Sequence, residues 1–340
     1  MKSKKRNFGK NIIGALIIPL VFAVILQGIC MSHGRTMITN ATSFNNFVVY
    51  TAIVMITTIA LSINLDSGRF DFSLGSMAAL SSVLGAKITY AVLGGGGGSA
   101  PMMLFVTVIV GAILGLISGL LYIALRLPPI ITSLGVTLIY EGILFTITEG
   151  RYVMKEVQNK SMTAFTGHWL YAALVIAVIL VLCIILFDYT KFGYEYKALK
   201  RGQKVTVNTG IREIPNAIAC YAFCGGLMGL VGFLNAARST TINGGQLNFG
   251  SISIMFTAFL PMFIGSYIGR FVNEKVGFLF AALCMSMLNS TFAVFSNEVS
   301  ASMQAIINAV LLVVFLIYLS NEHLLLAIFR KPAVTTSKKA

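Results

Sequence analysis

Ten apolar runs divide this chain, and short polar intervals separate them. They cover residues 11–30, 44–63, 71–92, 102–125, 130–148, 169–187, 214–237, 252–269, 276–295 and 301–320. A helix needs ~20 apolar residues to cross the ~30 Å hydrocarbon layer. The pattern therefore predicts an all-α polytopic membrane protein with about ten transmembrane helices. A membrane β-barrel would show ~10-residue segments of alternating polarity, and these runs are continuous. The runs nearly exhaust the 340 residues, so one membrane domain over 1–340 is expected, with no separate soluble domain. Arg126-Leu-Pro-Pro129 hinges the fourth and fifth runs, because proline suits the first turn of a new helix and not a helix interior. Polar intervals remain at 149–167 and, longest of all, at 188–212.

Charge orients the pattern. The basic residues sit at the two ends and in the short intervals, as the positive-inside bias requires. Ten spans put both termini on the cytoplasmic side, with 19 basic residues there and 6 outside. The 188–212 interval carries Lys191, Lys197, Lys200, Arg201, Lys204 and Arg212 and falls inside. Lys2, Lys4, Lys5, Arg6 and Lys10 precede the first run in the manner of a signal peptide, but no small-x-small cleavage site follows, so an uncleaved first span is expected. The net charge of +14 is thus a membrane signature, and no nucleic-acid partner is expected. Only 11% of residues are charged, against ~25% in soluble domains.

Catalytic and metal signatures are missing from the sequence. Nothing matches G-x-x-x-x-G-K-[ST], so the chain has no phosphate-cradling loop of its own; the glycines at 94–98 lack the lysine. His33, His168 and His323 are dispersed, and no H-E-x-x-H pair occurs. Cys30, Cys183, Cys220, Cys224 and Cys284 lie in or beside apolar runs as small packing residues. An enzyme, a metal site and a cofactor on this chain are not expected.

Polar groups inside the runs are the candidates for function, because a charge at the bilayer centre costs at least ~2.5 kcal/mol. Glu141 either faces a polar pathway or is neutralised in the bundle. Asp71 opens the third run, where it either caps helix N–H groups or, with Ser73, lines the solute path. Lys87 is placed to snorkel. So few ionisable groups argue against ion coupling through the core. Thr132, Ser133, Asn235, Asn248 and Asn289 suit a path for a neutral, hydroxyl-rich solute, or hydrogen bonds between packed spans. Gly111, Gly115 and Gly119 make a small-x-x-x-small ridge for close helix packing. Gly68-Arg-Phe-Asp71-Phe72 and Gly245-Gln-Leu-Asn248-Phe249 share Gly-x-x-Asp/Asn-Phe at the openings of two runs of opposite orientation, as an inverted repeat would.

Several stretches together resemble one family. Arg69-Phe-Asp71-Phe72-Ser73-Leu-Gly75-Ser76 is similar to a Gly-Ile-Asp-Leu-Ser-Val-Gly-Ser segment, and Leu127-Pro-Pro-Ile-Ile-Thr-Ser-Leu-Gly135 to Leu-Pro-Pro-Phe-Ile-x-Thr-Leu-Gly. Thr190-Lys-Phe-Gly193 with Gly210-Ile211 matches a Thr-x-Phe-Gly … Gly-Ile loop frame, and Leu288-Asn289 a late-span element. Over roughly 45–320 the chain resembles the membrane permease subunit of ribose-type ABC importers, whose superfamily also serves other sugars, nucleosides and branched-chain amino acids. It departs at Ala198-Leu-Lys-Arg-Gly202-Gln203, where the family reads Ala-x-Gly-x-Asn, at Gly265-Ser-Tyr-Ile-Gly269-Arg270, and at Glu141.

The resemblance implies a multi-pass subunit of the bacterial plasma membrane that moves a small polar solute, a monosaccharide such as ribose. A nucleoside permease of the same superfamily and an ion-coupled carrier are the alternatives. It also implies a second permease copy or similar chain, an extracytoplasmic solute-binding protein, and ABC ATPase subunits that hold ATP and Mg. The 188–214 stretch would be the cytoplasmic coupling loop, with Glu195, Tyr196, Lys197, Ala198, Leu199, Lys200, Arg201, Gly202, Gln203 and Lys204 docked on the ATPase. Tyr196 and Leu199 are expected as apolar plugs, with Lys200 and Arg201 as the charged rim.

Overall fold

The computed structural model describes residues 8–93, 100–154, 156–158, 160–208 and 210–321. Lys2 to Arg6, the glycine loop 94–99, Lys155 and the tail with His323, Arg330, Lys331, Lys338 and Lys339 lie outside the described residues. So do the side chains of Lys10, Lys160, Gln203 and Lys204. The chain is a polytopic all-α membrane protein. In order it forms α1 (Phe8–Ser32), α2 (Ala41–Asp66), α3 (Leu74–Val92), α4 (Ala100–Leu125), α5 (Pro129–Thr148), α6 (Lys160–Gly167) and α7 (Trp169–Ile184), which runs on into a π turn (Ile185–Tyr189). Then come α8 (Lys191–Arg201), α9 (Gln203–Asn208), α10 (Glu213–Ser239), α11 (Ile252–Phe256), α12 (Phe259–Ile268), α13 (Glu274–Val294) and α14 (Ala301–Ser320).

Among the described helices, eight are long and apolar enough to cross a membrane: α1, α2, α4, α5, α7 with its π turn, α10, α13 and α14. The other two runs differ for physical reasons. α3 is rich in serine and glycine, yet every residue from Leu74 to Val83 is buried. It lies inside the bundle, where Ser76, Ser81 and Ser82 donate back to carbonyls three residues earlier and no greasy surface is needed. The run at 252–269 is not one helix but two. Pro261 has no N–H to offer Thr257, so the chain breaks before it and restarts with Pro261 in the first turn of α12. The polar interval after α5 also holds more than loop. Tyr152–Val153 (β1) pairs antiparallel with Ile242–Asn243 (β2), and buried Val157 and Met162 hold α6 against the bundle.

The centre is built on glycine. α10 packs on α2, α3 and α4, and its contact with α4 is backbone on backbone. A Cβ on Gly111 would overlap the carbonyl oxygen of Gly225, and one on Gly225 would overlap that of Gly111. Gly115 meets the Tyr221 carbonyl oxygen in the same way, and Gly119 makes room for the Tyr221 side chain. The predicted small-residue ridge thus closes the subunit's own core. At the other extreme, α14 has no buried residue, and its apolar side chains face outward around most of its circumference.

Gly111→Leu or Gly225→Val should destabilise the bundle by about 1–3 kcal/mol or more, the usual cost of overpacking. Gly135→Ala and Gly142→Ala, whose added Cβ meets nothing within 4 Å, should be neutral. Thermal aggregation in detergent measures the contrast.

Candidate coupling site and solute path

The largest polar interval folds into a clamp. Thr190 opens α8 by accepting from the Gly193 N–H at 3.3 Å, and Gly193 has no Cβ because one would overlap the Phe187 backbone. Phe187 sits in the π turn, edge-on to Phe192, Tyr196 and Phe223, and the Lys275 ammonium lies 5.1 Å above its ring. The Tyr196 hydroxyl donates to the Ile63 carbonyl of α2 at 3.1 Å. Lys200 reaches Asp66 at the end of α2 (2.5 Å) and Glu274 at the start of α13 (3.4 Å). Burial alone would lower the Lys200 pKa, but the Asp66 hydrogen bond and the two carboxylate charges outweigh it and raise it. Asp188 joins Lys197 at 2.5 Å and Asn273 at 2.7 Å.

This geometry corrects one expectation. Tyr196 and Leu199 are not outward plugs: both are buried against their own chain, because the amphipathic helix needs an apolar face toward α2 and the π turn. The outward face carries Lys191, Tyr194 and Arg201, with the Tyr194 ring 60% exposed. Glu195 is partly buried beside Lys191 at 3.8 Å. The Ala198 carbonyl accepts from Thr206 of α9 at 2.9 Å, and Gly202 is the break between the two helices.

Beyond α2 the chain stays inside the bundle. Asp71 is fully buried and accepts from the Ser73 N–H (2.8 Å) and hydroxyl (2.6 Å), so these two residues cap the turn into α3. Glu141, buried on α5, does the same for the turn into α11 from a distance. It accepts from the Phe249 N–H at 2.9 Å, the Ser251 N–H at 2.8 Å and the Ser251 hydroxyl at 2.5 Å. The chain just after the two Gly-x-x-Asp/Asn-Phe segments meets here, with the Ser251 carbonyl against Gly75. Phe70 and Phe72 pack on Phe259 and Phe256. Arg69, also buried, pairs with Glu213 at the head of α10 at 3.5 Å.

A cleft of ≈ 570 Å³ opens above this aromatic cluster, between α2, α11, α12, α13 and α14. Tyr50, Ser253, Phe256, Asn289, Gln304 and Asn308 give it rings, a hydroxyl and three amides. The Asn308 carbonyl oxygen is buried and makes no hydrogen bond among the described residues. Asn289 also lines a second cavity, of ≈ 520 Å³, at the end of the bundle away from α8, with Arg35, Ser43, Asn46 and Arg238. The other path candidates serve the bundle instead. Asp71, Ser73 and Glu141 are engaged in the turns ahead of α3 and α11. Buried Thr132 and Ser133 donate to the Pro128 and Ile130 carbonyls. Asn235 is half-buried on α10, and Asn248 is exposed in a left-handed turn (φ 55°) that leads to α11.

The sequence pattern of the branched-chain amino acid transport system / permease component family matches residues 43–319. The chain belongs to that family. It is 24% identical over 193 residues to the Autoinducer 2 import system permease protein LsrC of Photorhabdus luminescens, covering 55% of each chain. LsrC of Salmonella typhimurium is 24% identical over 189 residues, 55% of this chain and 53% of the relative. The chain thus spans about half the length of these relatives. The Galactose/methyl galactoside import permease protein MglC of Haemophilus influenzae is 23% identical over 231 residues, 63% of this chain and 68% of that one. No solved structure matches.

In this permease the residues that carry the family resemblance have structural work. Asp71 and Ser73 form the turn into α3, Pro128 and Pro129 start α5, and Thr190 and Gly193 form the elbow into α8. The clamp partners Asp66, Asp188 and Glu274 escape the sequence pattern, because each is a lone acid at a span end. Gln304 and Asn308 left a signal. They lie four residues apart on an otherwise apolar helix, so they share one face.

Glu141→Leu should strip the acceptor from three donors, each orphaned group costing about 1–3 kcal/mol, and abolish monodisperse purification in detergent. Glu141→Gln should be intermediate, since its amide offers one oxygen. Leu199→Asp should also fail to fold, by burying a charge. Tyr194→Ala, on the exposed face, should leave the melting temperature in place.

Proposed function

We propose that this chain is the membrane-spanning permease subunit of a bacterial ABC importer for a small, neutral, hydroxyl-rich solute, with a monosaccharide such as ribose as the substrate class. The cleft is the observation that carries this reading. None of its lining residues is charged, and amides beside aromatic rings are the groups that bind hydroxyls and the apolar faces of sugar rings. Its volume falls in the ~300–1,000 Å³ range of small-molecule sites. The printed names of LsrC and MglC, importers of autoinducer 2 and of galactose and methyl galactoside, point the same way. The exposed ring of Phe256 would stack on a nucleobase as well, so nucleosides belong in any uptake panel.

In this reading both termini and α8 lie in the cytoplasm. ATP and Mg are held by separate ATPase subunits, a binding protein delivers solute at the opposite face, and a second permease chain completes the path. The coupling is mechanical. α8 grips α2 through Ile63 and Asp66 and α13 through Asn273 and Glu274, partly by way of Asp188. Those two helices carry Tyr50 and Asn289 into the cleft, so movement of α8 shifts two of its walls. An ion-coupled carrier is less well supported, because the carboxylates of Asp71 and Glu141 are both committed to hydrogen bonds in the turns ahead of α3 and α11.

Asn289→Leu and Asn308→Leu should each raise the KM for uptake roughly three- to tenfold, the worth of a neutral hydrogen bond, with membrane expression unchanged. A panel of ribose, galactose and nucleosides, with and without the co-expressed ATPase, makes the measurement. Gradient-driven uptake by this chain without the ATPase would sink the proposal.

A further inference from the structure

The cavity at the end away from α8 and the cleft are neighbours with a partition between them. Three side chains make it. Asn289 lines both spaces. Arg238, in the last turn of α10, lines the outer cavity, and its guanidinium carbon lies 5.0 Å above the ring of Tyr50, which lines the cleft. The cation of one space is thus stacked on the aromatic wall of the other. The second arginine of the outer cavity is already engaged: Arg35 pairs with Glu298 at 2.9 Å and donates to the Val294 carbonyl at 3.1 Å. Arg238 has no carboxylate partner among the described residues.

We infer that Arg238 and Tyr50, with Asn289 beside them, form a gate between the two cavities that passes oxygen-rich neutral or anionic solutes and disfavours cations. The inference rests on reading the cleft as the solute path. A guanidinium presents its N–H donors as a planar fork, which matches a pair of vicinal hydroxyls or a carboxylate. Stacking on a ring is a weak hold that such a bidentate contact can replace. A solute arriving among Ser43, Asn46 and Arg238 would therefore draw the guanidinium off Tyr50 and open its own way to Asn289. A cation would meet the charge of Arg238 and gain nothing from displacing it.

The test uses the permease assembled with its ATPase in membranes and needs no knowledge of the solute. Ser253→Cys places a reporter thiol in the cleft, and the native cysteines are all buried, so their background is low. Two methanethiosulfonate reagents of similar size, one sulfonate and one trimethylammonium, are applied from the binding-protein side. Each rate is divided by that reagent's rate with free 2-mercaptoethanol. Behind an intact gate the anionic reagent should react about five- to tenfold faster than the cationic one. Arg238→Ala should accelerate both and bring the ratio close to one. Tyr50→Leu should accelerate both but keep some charge preference, and Tyr50→Phe should match the parent, since the ring remains. Arg238→Lys keeps the charge and guards against misfolding of the alanine variant. Equal rates and ratios in all variants would overturn the gate and leave the path standing. A cleft thiol that never reacts, while a Thr39→Cys thiol beside the outer cavity does, would overturn the path reading and the gate with it.

Discussion

A turn buried inside a bilayer holds N–H groups that no water can satisfy, and this fold depends on how it meets that constraint twice. Asp71 accepts from Ser73 in the turn ahead of α3, whereas Glu141 reaches from α5 to accept from Phe249 and Ser251 in the turn ahead of α11. Because those groups are satisfied, α3 and α11 can begin deep in the bundle. Their leading segments then meet, Gly75 against Ser251, and bring Phe70, Phe72, Phe256 and Phe259 together beneath the cleft. Intramembrane carboxylates often signal proton or ion traffic; here both are occupied by the backbone.

The cleft and the clamp at α8 are ends of the same rods. α2 and α13 begin or end at Asp66 and Glu274, under Lys200, and contribute Tyr50 and Asn289 to the cleft. Beside α2, the close contact of α4 and α10 offers a rigid body against which such rods can move. Its stiffness comes from the absence of side chains, since backbones in contact through Gly111 and Gly225 have no rotamers to yield.

Much of the architecture was legible in the sequence, because lipid demands long apolar runs and polar intervals stand out against them. The break before Pro261 was written in the proline, and the ridge of Gly111, Gly115 and Gly119 in its spacing. The inward turn of Tyr196 and Leu199 was harder to read. An amphipathic helix shows two faces in its sequence, but not which one meets its own chain. The cleft was harder still, since Tyr50, Phe256, Asn289 and Asn308 come from four segments that only the fold brings together. Motif residues misled for a related reason: Asp71 and Ser73 look chemical but are occupied in the turn ahead of α3.

α14 has no buried residue, yet it brings Gln304 and Asn308 to the cleft. A wall held on one side only takes its position from whatever presses on the other. In the proposed reading, solute preference then depends on what packs behind α14 as well as on this chain. Changing that packing would retune recognition while every residue of this chain stayed the same.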